Sequence, residues 1–301
     1  MRYHFLLNPA AGKGEALHLA PGIQAAFRGR DLTLYYTTGP GDAARYVREE
    51  ALRHSEEEMV FFACGGDGTV REVAEGLRGQ QNAILGILPC GSGNDLVKTF
   101  PNQDFGDLSA QLAGEPVPMD LIDFCGRTVV NLGNCGLDAD VAHNMPLFRR
   151  WPGISGSMAY RLSIPYTFFR PLGKRGRIRL DGGPEEEWQL LLLVCGNGQY
   201  YGGGFRGAPL AKPDDGLFDV CLVPKLGRRK ILSIIGRYQK GLHTQDEELR
   251  RLVTYRQVRR LEARFDSPIT ICADGETFRG TSLTAQILPG AIRLWRPRES
   301  H

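Results

Sequence analysis

Gly65-Gly66-Asp67-Gly68 sets one carboxylate among three glycines. It follows the apolar run Val60-Phe61-Phe62-Ala63 directly and precedes Val70, Val73, Ala74 and Leu77, which fall at i, i+3, i+4 and i+7. The pattern predicts a buried strand, a tight turn and a helix N-terminus. Glycine lets backbone approach an anion closely, and the free N–H groups and dipole of a helix start favour one, so the turn suits phosphate. Asp67 would repel that phosphate unless a cation intervened, so its presence implies Mg²⁺ or a donor hydrogen bond. Three more strands end in turns of related texture. Tyr3 to Leu7 runs into Asn8-Pro9-Ala10-Ala11-Gly12-Lys13-Gly14, which fails the G-x-x-x-x-G-K-[ST] pattern of a P-loop. Leu32 to Tyr36 leads to Thr37-Thr38-Gly39-Pro40-Gly41, and Ile84 to Leu88 closes in Pro89-Cys90-Gly91-Ser92-Gly93-Asn94-Asp95.

The elements that hold these turns alternate from residue 3 to about 113. A weak helix after Gly14 reads as broken at Pro21-Gly22. A firmer one, capped by Asp42 and running to about His54, has Ala43, Val47 and Ala51 on one face and a Glu49–Arg53 pair on another. Strand and helix in alternation argue a parallel, doubly wound α/β sheet, whose ligand sites lie at the C-terminal ends of its strands. From Val117 the helical periodicity fades. Val129–Leu132, Trp188–Cys195, Phe218–Val223 and Ile269–Cys272 read as strands, with one helix over Arg228 to Lys240 and a last strand over Ala291 to Trp295. The expectation is a nucleotide-binding α/β domain over 1–123, with 291–301 available to complete it, and a β-rich substrate domain over 124–290.

Of 301 residues, 42% are hydrophobic and 24% charged, the balance of a soluble globular protein. No run approaches the ~20 apolar residues of a membrane span, and the N-terminal apolar stretch is too short for a signal peptide. The seven cysteines are scattered and never C-x-x-C, which suggests reduced, buried thiols and a cytoplasmic protein. A net charge of +3 argues against general nucleic-acid binding. The charge is unevenly spread: Val141 to Leu180 holds Arg149, Arg150, Arg161, Arg170, Lys174, Arg175, Arg177 and Arg179 with no Asp or Glu. Phe148, Trp151, Tyr160, Tyr166, Phe168 and Phe169 lie among them. Aromatics beside cations suit the headgroup boundary of an anionic bilayer, so 141–180 is the expected membrane contact, made transiently at the inner face of the membrane.

Taken together, GGDGTV, ILPCGSGNDL, GGGFRGAPLAKPDDGLFDV and ADGE resemble the diacylglycerol kinase catalytic family, in particular its bacterial soluble lipid-kinase branch, over nearly the whole chain and in the family's order. The resemblance implies a nucleotide-binding domain followed by a β-sandwich, with ATP and Mg²⁺ in the cleft between them. It puts ATP contacts on Asn8, Pro9, Ala10, Ala11 and Gly12, on one of Thr37 and Thr38, on Gly65, Gly66, Asp67, Gly68, Thr69, Val70 and Arg71, and on Ser92, with Asn94 and Asp95 in the same turn. Asp67 is the candidate for the catalytic metal, with Asp95 assisting. The general base falls on Glu276, with Asp274 next in line. A structural Mg²⁺ would use the Asp215 carboxylate and main-chain oxygens of Lys212 and Leu217. Ser92 stands where the family commonly has Thr, and Asn94-Asp95-Leu96-Val97-Lys98 replaces Asn-Asp-Phe-Ala-Arg.

The function implied is ATP-dependent phosphorylation of a free hydroxyl on a membrane lipid, a step of phospholipid metabolism. Diacylglycerol, phosphatidylglycerol, a ceramide or a sphingoid base all offer such a hydroxyl, and a homodimer is left open. GGDGT alone is shared with NAD kinases, so a cytosolic NAD kinase is the rival enzyme reading. GSGND and APLAKPDDG count against it. A nucleotide-binding regulator without catalysis is the rival from another class, opposed by the intact Asp67 and Glu276.

Overall fold

The computed structural model describes residues 1–91, 93–151, 153–154 and 156–299. The chain folds as two compact units. The first comprises Met1–Leu121, Pro213–Gly216 and the segment from Leu288 onward; the second comprises Ile122–Lys212 and Leu217–Ile287.

In the first unit β1 (Arg2–Leu7), β2 (Asp31–Tyr36), β3 (Met59–Gly65) and β4 (Ala83–Pro89) are all parallel, in the order β4-β3-β1-β2. β3 is buried along its whole length, as a central strand covered on both faces must be, which is why it reads as an unbroken apolar run. Phe5 of β1 and Phe62 of β3 stack at 4.3 Å and meet Phe27 edge-on. The helices are α1 (Glu15–His18), α2 (Ala20–Ala26), α3 (Asp42–Arg53), α4 (Asp67–Leu77) and α5 (Leu108–Leu112). α4 buries the predicted stripe of Val70, Val73, Ala74 and Leu77.

Three local expectations are corrected. α2 runs through Pro21-Gly22, because Pro21 sits in its first turn, where no helical partner awaits its missing N–H. Asp42 is the first residue of α3 rather than its cap; Gly41, left-handed at φ 82°, precedes it. Glu49 pairs with Arg45, and Arg53 turns to Glu50.

β5 (Glu115–Phe124) begins in the first unit and ends in the second, where it pairs with β6 (Arg127–Val129). β7 (Leu132–Gly136) follows a bend at Val130-Asn131, so the run Val129–Leu132 is not one strand. Next come α6 (Leu137–Arg149), α7 (Gly156–Phe168), β8 (Lys174–Leu180), β9 (Glu186–Gly196), β10 (Phe218–Pro224), α8 (Arg228–Gln239), α9 (Glu247–Leu252), β11 (Thr254–Val258), β12 (Arg260–Ala273) and β13 (Glu276–Arg296). The pairings are antiparallel, and β9 and β12 each pair with β7 at one end and with β8 at the other. These four strands therefore close on one another around Phe124, Cys195, Phe218, Leu261 and Ile271. The end of β13 lies in the first unit, parallel to β4 at Leu294 and Leu85. A doubly wound α/β unit beside a β-sandwich is the expected fold class. α6 and α7 are the departure from it: each carries an internal proline, Pro146 and Pro165, that reads as a breaker. Among the described residues no helix is long and apolar enough to cross a membrane.

Candidate active site

β1 lies between β2 and β3. The chain leaves β1 toward β2 and leaves β3 toward β4, in opposite directions, so the crevice between β1 and β3 is the topological switch point where open α/β sheets take their ligands. Asn8 stitches its two lips together. Its Nδ2 donates to Thr69 Oγ1 at 3.0 Å, its Oδ1 accepts the Ala10 amide at 3.0 Å, and its own amide donates to the Cys64 carbonyl at 3.1 Å. The loop after β4 comes equally close. A Cβ on Gly91 would lie 2.4 Å from the Gly66 Cα, and one on Gly93 would lie 2.4 Å from Asp67 Oδ2. Gly91 therefore excludes a side chain, and one at Gly93 would displace the Asp67 carboxylate.

Asp67 opens α4, and its Oδ1 accepts the Asp95 amide at 2.8 Å. Burial and then the neighbouring Asp95 charge push its carboxyl up, while the Asp95 N–H and Lys98 pull it back. Asp95 is nearly buried and its Oδ1 meets Lys98 Nζ at 2.5 Å. Two carboxylates from two loops, beside a helix N-terminus, are a donor set that fits one Mg²⁺. Among the described residues no three His, Cys, Asp or Glu side chains gather at one point. An ion there would be held by Asp67 and Asp95 and would supply positive charge to offset that of a bound phosphate.

The remaining predicted contacts divide by what their atoms are already doing. Thr38 donates from both its amide and its Oγ1 to Asp42 Oδ2, at 2.8 and 3.0 Å. Burial pushes the Asp42 carboxyl up, but donors from Thr38, Arg45 and Tyr35 outweigh it and leave the group at about 2. The Thr38 hydroxyl proton is thus committed, whereas that of Thr37 makes only a 3.5 Å contact with the Leu7 carbonyl. Asn94, at φ 45°, gives its Nδ2 to the Gly91 carbonyl at 2.7 Å, so its amide closes the turn. Val70 is buried and its amide already donates to the Gly66 carbonyl at 3.2 Å; Gly68 is exposed and Arg71 half-buried. Pro9 and Ala10 are exposed, and Ala11 and Gly12 lie in a short 3-10 turn. Ser92 lies outside the described residues.

Asp215 lies in Pro213–Gly216, with Lys212 and Leu217 at either end of that segment. The sequence reading missed what anchors it. Buried Asp120 accepts the Gly216 amide on one oxygen and the Gly290 amide on the other, both at 2.7 Å, and its own amide donates to the Pro213 carbonyl at 2.7 Å.

Glu276 starts β13 in the second unit, opposite Ala273 of β12. Asp274 and Gly275 join them at φ 43° and 89°, the two left-handed residues a type I′ hairpin turn requires. Asp274 is removed as a candidate base: its carboxylate already accepts the amides of Val130, Asn131 and Leu132 at 2.6, 3.1 and 2.8 Å. Glu276 is half exposed, with its Oε2 3.4 Å from Arg127 Nη1.

The stretch 141–180 is less one-sided in space than in sequence. Lys174 meets Asp140 at 3.3 Å, Arg177 meets Glu187 at 3.6 Å, and Arg179 approaches Glu262 at 3.9 Å. Arg149, Arg150 and Arg161 are exposed on α6, α7 and the link between them, along with Leu147, Trp151, Met158 and Ile164; Trp151 is 59% exposed and Phe169, just past α7, 75%. All seven cysteines are free, and five are buried.

Residues 2–124 match the family model of the diacylglycerol kinase catalytic domain, and residues 133–296 match the YegS C-terminal NAD kinase beta sandwich-like domain. A probable lipid kinase YegS-like protein of Pseudomonas aeruginosa is 33% identical over 277 residues, covering 90% of this chain and 87% of that one. A diacylglycerol kinase of Mycobacterium tuberculosis is 29% identical over 307 residues, covering 97% and 94%. Among solved structures, a putative diacylglycerol kinase from Bacillus anthracis superimposes with a TM-score of 0.76 at 25% identity, over 98% of this chain and 96% of that one. An NAD kinase from Archaeoglobus fulgidus in complex with ATP shares the fold at a TM-score of 0.53 and 13% identity, over 99% and 94%.

Proposed function

This chain belongs to the diacylglycerol kinase catalytic-domain family and is a lipid kinase in that family's sense; on that premise we propose that it transfers the γ-phosphoryl of ATP to a free hydroxyl of a membrane lipid. The observation that carries the reading is the gathering of three glycine turns at the β1/β3 switch point, through Asn8–Thr69 and Asp67–Asp95. Phosphoryl transfer asks a protein mainly to position the nucleotide and offset charge. The N-terminus of α4 faces the phosphates, and the Thr37 hydroxyl, with only its 3.5 Å contact to the Leu7 carbonyl, is the better placed of its pair to meet the nucleotide. Asp67, with Asp95, would hold Mg²⁺, whose charge would offset that of the transferring phosphate. Glu276 accepts the proton of the lipid hydroxyl, a contribution of typically 10²–10⁴-fold. A second Mg²⁺ at Asp215, with the Lys212 and Leu217 carbonyls, serves stability rather than chemistry.

The lipid is reached at the membrane surface. Exposed Leu147, Trp151, Met158, Ile164 and Phe169, with Arg149, Arg150 and Arg161, offer an apolar and cationic face to anionic headgroups. The deciding experiment supplies labelled ATP, Mg²⁺, vesicles of total bacterial lipid extract, and NAD. A labelled lipid supports the reading. Labelled NADP would make the chain an NAD kinase, and ATP bound without turnover would make it a regulator.

A further inference from the structure

We propose that Arg127 is the positioning residue that aims the Glu276 carboxylate, an inference that rests on Glu276 being the base. A glutamate at a hairpin end turns freely about three torsions, yet a base must point at the proton it takes. Two tight turns meet around this side chain. Glu276 leaves the Asp274-Gly275 turn, and Arg127 leaves a second one built the same way. Cys125 and Gly126, at φ 56° and 75°, close the pair Phe124–Arg127. The second turn is tied down where the Cys125 amide donates to the Thr284 carbonyl of β13 at 2.8 Å.

Backbone fixes the two turns against each other on the other side as well. The Asp274 carboxylate grips three successive amides, Val130 to Leu132, just beyond β6, which carries Arg127. Asn197, just past β9, grips the same bend, its Nδ2 donating to the Val130 carbonyl at 2.8 Å and its amide to the Asn131 carbonyl at 2.9 Å. The origins of the two side chains are therefore fixed, and only their torsions remain. Arg127 settles its own by laying the guanidinium over the Phe278 ring at 4.6 Å. That places Nη1 3.4 Å from Glu276 Oε2. A planar fork held on a ring offers its donors in one direction, which a lysine ammonium does not.

Arg127 then orients the Glu276 carboxylate through its contact with Oε2. The test measures kcat, the KM for ATP and the melting temperature for Arg127→Gln, Arg127→Lys, Glu276→Gln and the double variant Arg127→Gln/Glu276→Gln, with labelled ATP and vesicles of total bacterial lipid extract. Misaiming a reacting group can lower a rate by up to about 100-fold, so Arg127→Gln should lose roughly 10- to 100-fold in kcat at unchanged KM for ATP and melting temperature. Arg127→Lys should not recover it. The double variant should be no slower than Glu276→Gln, because a misaimed base that is already absent costs nothing further. Unchanged kcat in Arg127→Gln overturns the proposal while Glu276→Gln is slow. Losses that multiply in the double variant overturn it too, since Arg127 would then act on phosphate independently of Glu276. Full activity in Glu276→Gln removes the base itself, and the inference falls with that reading.

Discussion

The Asp95 amide donates to Asp67 Oδ1 across 2.8 Å, tying the loop after β4 to the first turn of α4. The carboxylate thus supports the loop and faces the phosphate turn. Asp67→Asn keeps an oxygen that can accept the Asp95 amide but loses the charge that would hold Mg²⁺. Turnover should fall by about 10²–10³-fold, the effect of removing one electrostatic group at a reacting centre, with little change in melting temperature. Turnover near wild type would take Asp67 out of the chemistry.

Asp138, in the first turn of α6, is pushed up to about 6 by burial, against the bond donated by the Tyr201 hydroxyl. An acid raised on folding is held most easily when protonated. Its penalty is absent below the ordinary carboxylate value, grows as pH rises from about 4 to 6, and stays constant above. Asp138→Asn keeps an acceptor for Tyr201 and cannot ionise. The stability difference between variant and wild type should be smallest near pH 4 and favour the variant by on the order of 3 kcal/mol at pH 7.5. Denaturant unfolding at both pH values checks this; a gap that does not widen with pH would contradict it.

If Mg²⁺ stabilises the Asp215 segment, wild-type melting temperature should rise with added Mg²⁺ in the absence of nucleotide, by linkage. Asp215→Ala should lower the temperature and flatten that dependence. An equal Mg²⁺ response in both proteins would make Asp214-Asp215-Gly216 a plain turn.

Vesicle binding should weaken with salt, since each cation near an anionic surface contributes on the order of 1 kcal/mol and is screened within a Debye length. The ion pairs sort the cations. Arg149→Gln, Arg150→Gln and Arg161→Gln together should reduce sedimentation with phosphatidylglycerol vesicles strongly. Arg177→Gln with Arg179→Gln, which face Glu187 and Glu262, should reduce it little. Equal binding to neutral and anionic vesicles at all salt concentrations would end the membrane reading.

The first unit was legible because its signals are local. β3 and α4 announce themselves through one apolar run and one stripe, and Gly65 to Gly68 must lie between them. α6 and α7 were hidden because Pro146 and Pro165 interrupt helices that the surrounding packing nevertheless holds. The site residues divide the same way. Asp67 sits in a short motif whose composition already suggests chemistry, whereas Asn8 and Glu276 are singled out by the family resemblance. Asp42, Asp120, Asp274 and Arg127 act through partners that folding supplies: Asp120 meets an amide 170 positions away, and Arg127 meets a carboxylate 149 away. An aspartate that grips backbone amides looks, in sequence, like any aspartate in a turn. That is why Asp274 was a plausible base until its three amide partners were known.

The parallel pairing of β4 with the end of β13 has a consequence for the order in which a nascent chain can mature. β4, AILGILP, carries no charge and no partner on its far side until Leu294 has been synthesised. At ~5–20 residues per second, that leaves an apolar edge open for on the order of 10–40 s. The ring of β7, β9, β8 and β12 waits almost as long, since β7 cannot meet β12 before Ala273 emerges. The last strand is therefore the piece that closes the open edge of β4.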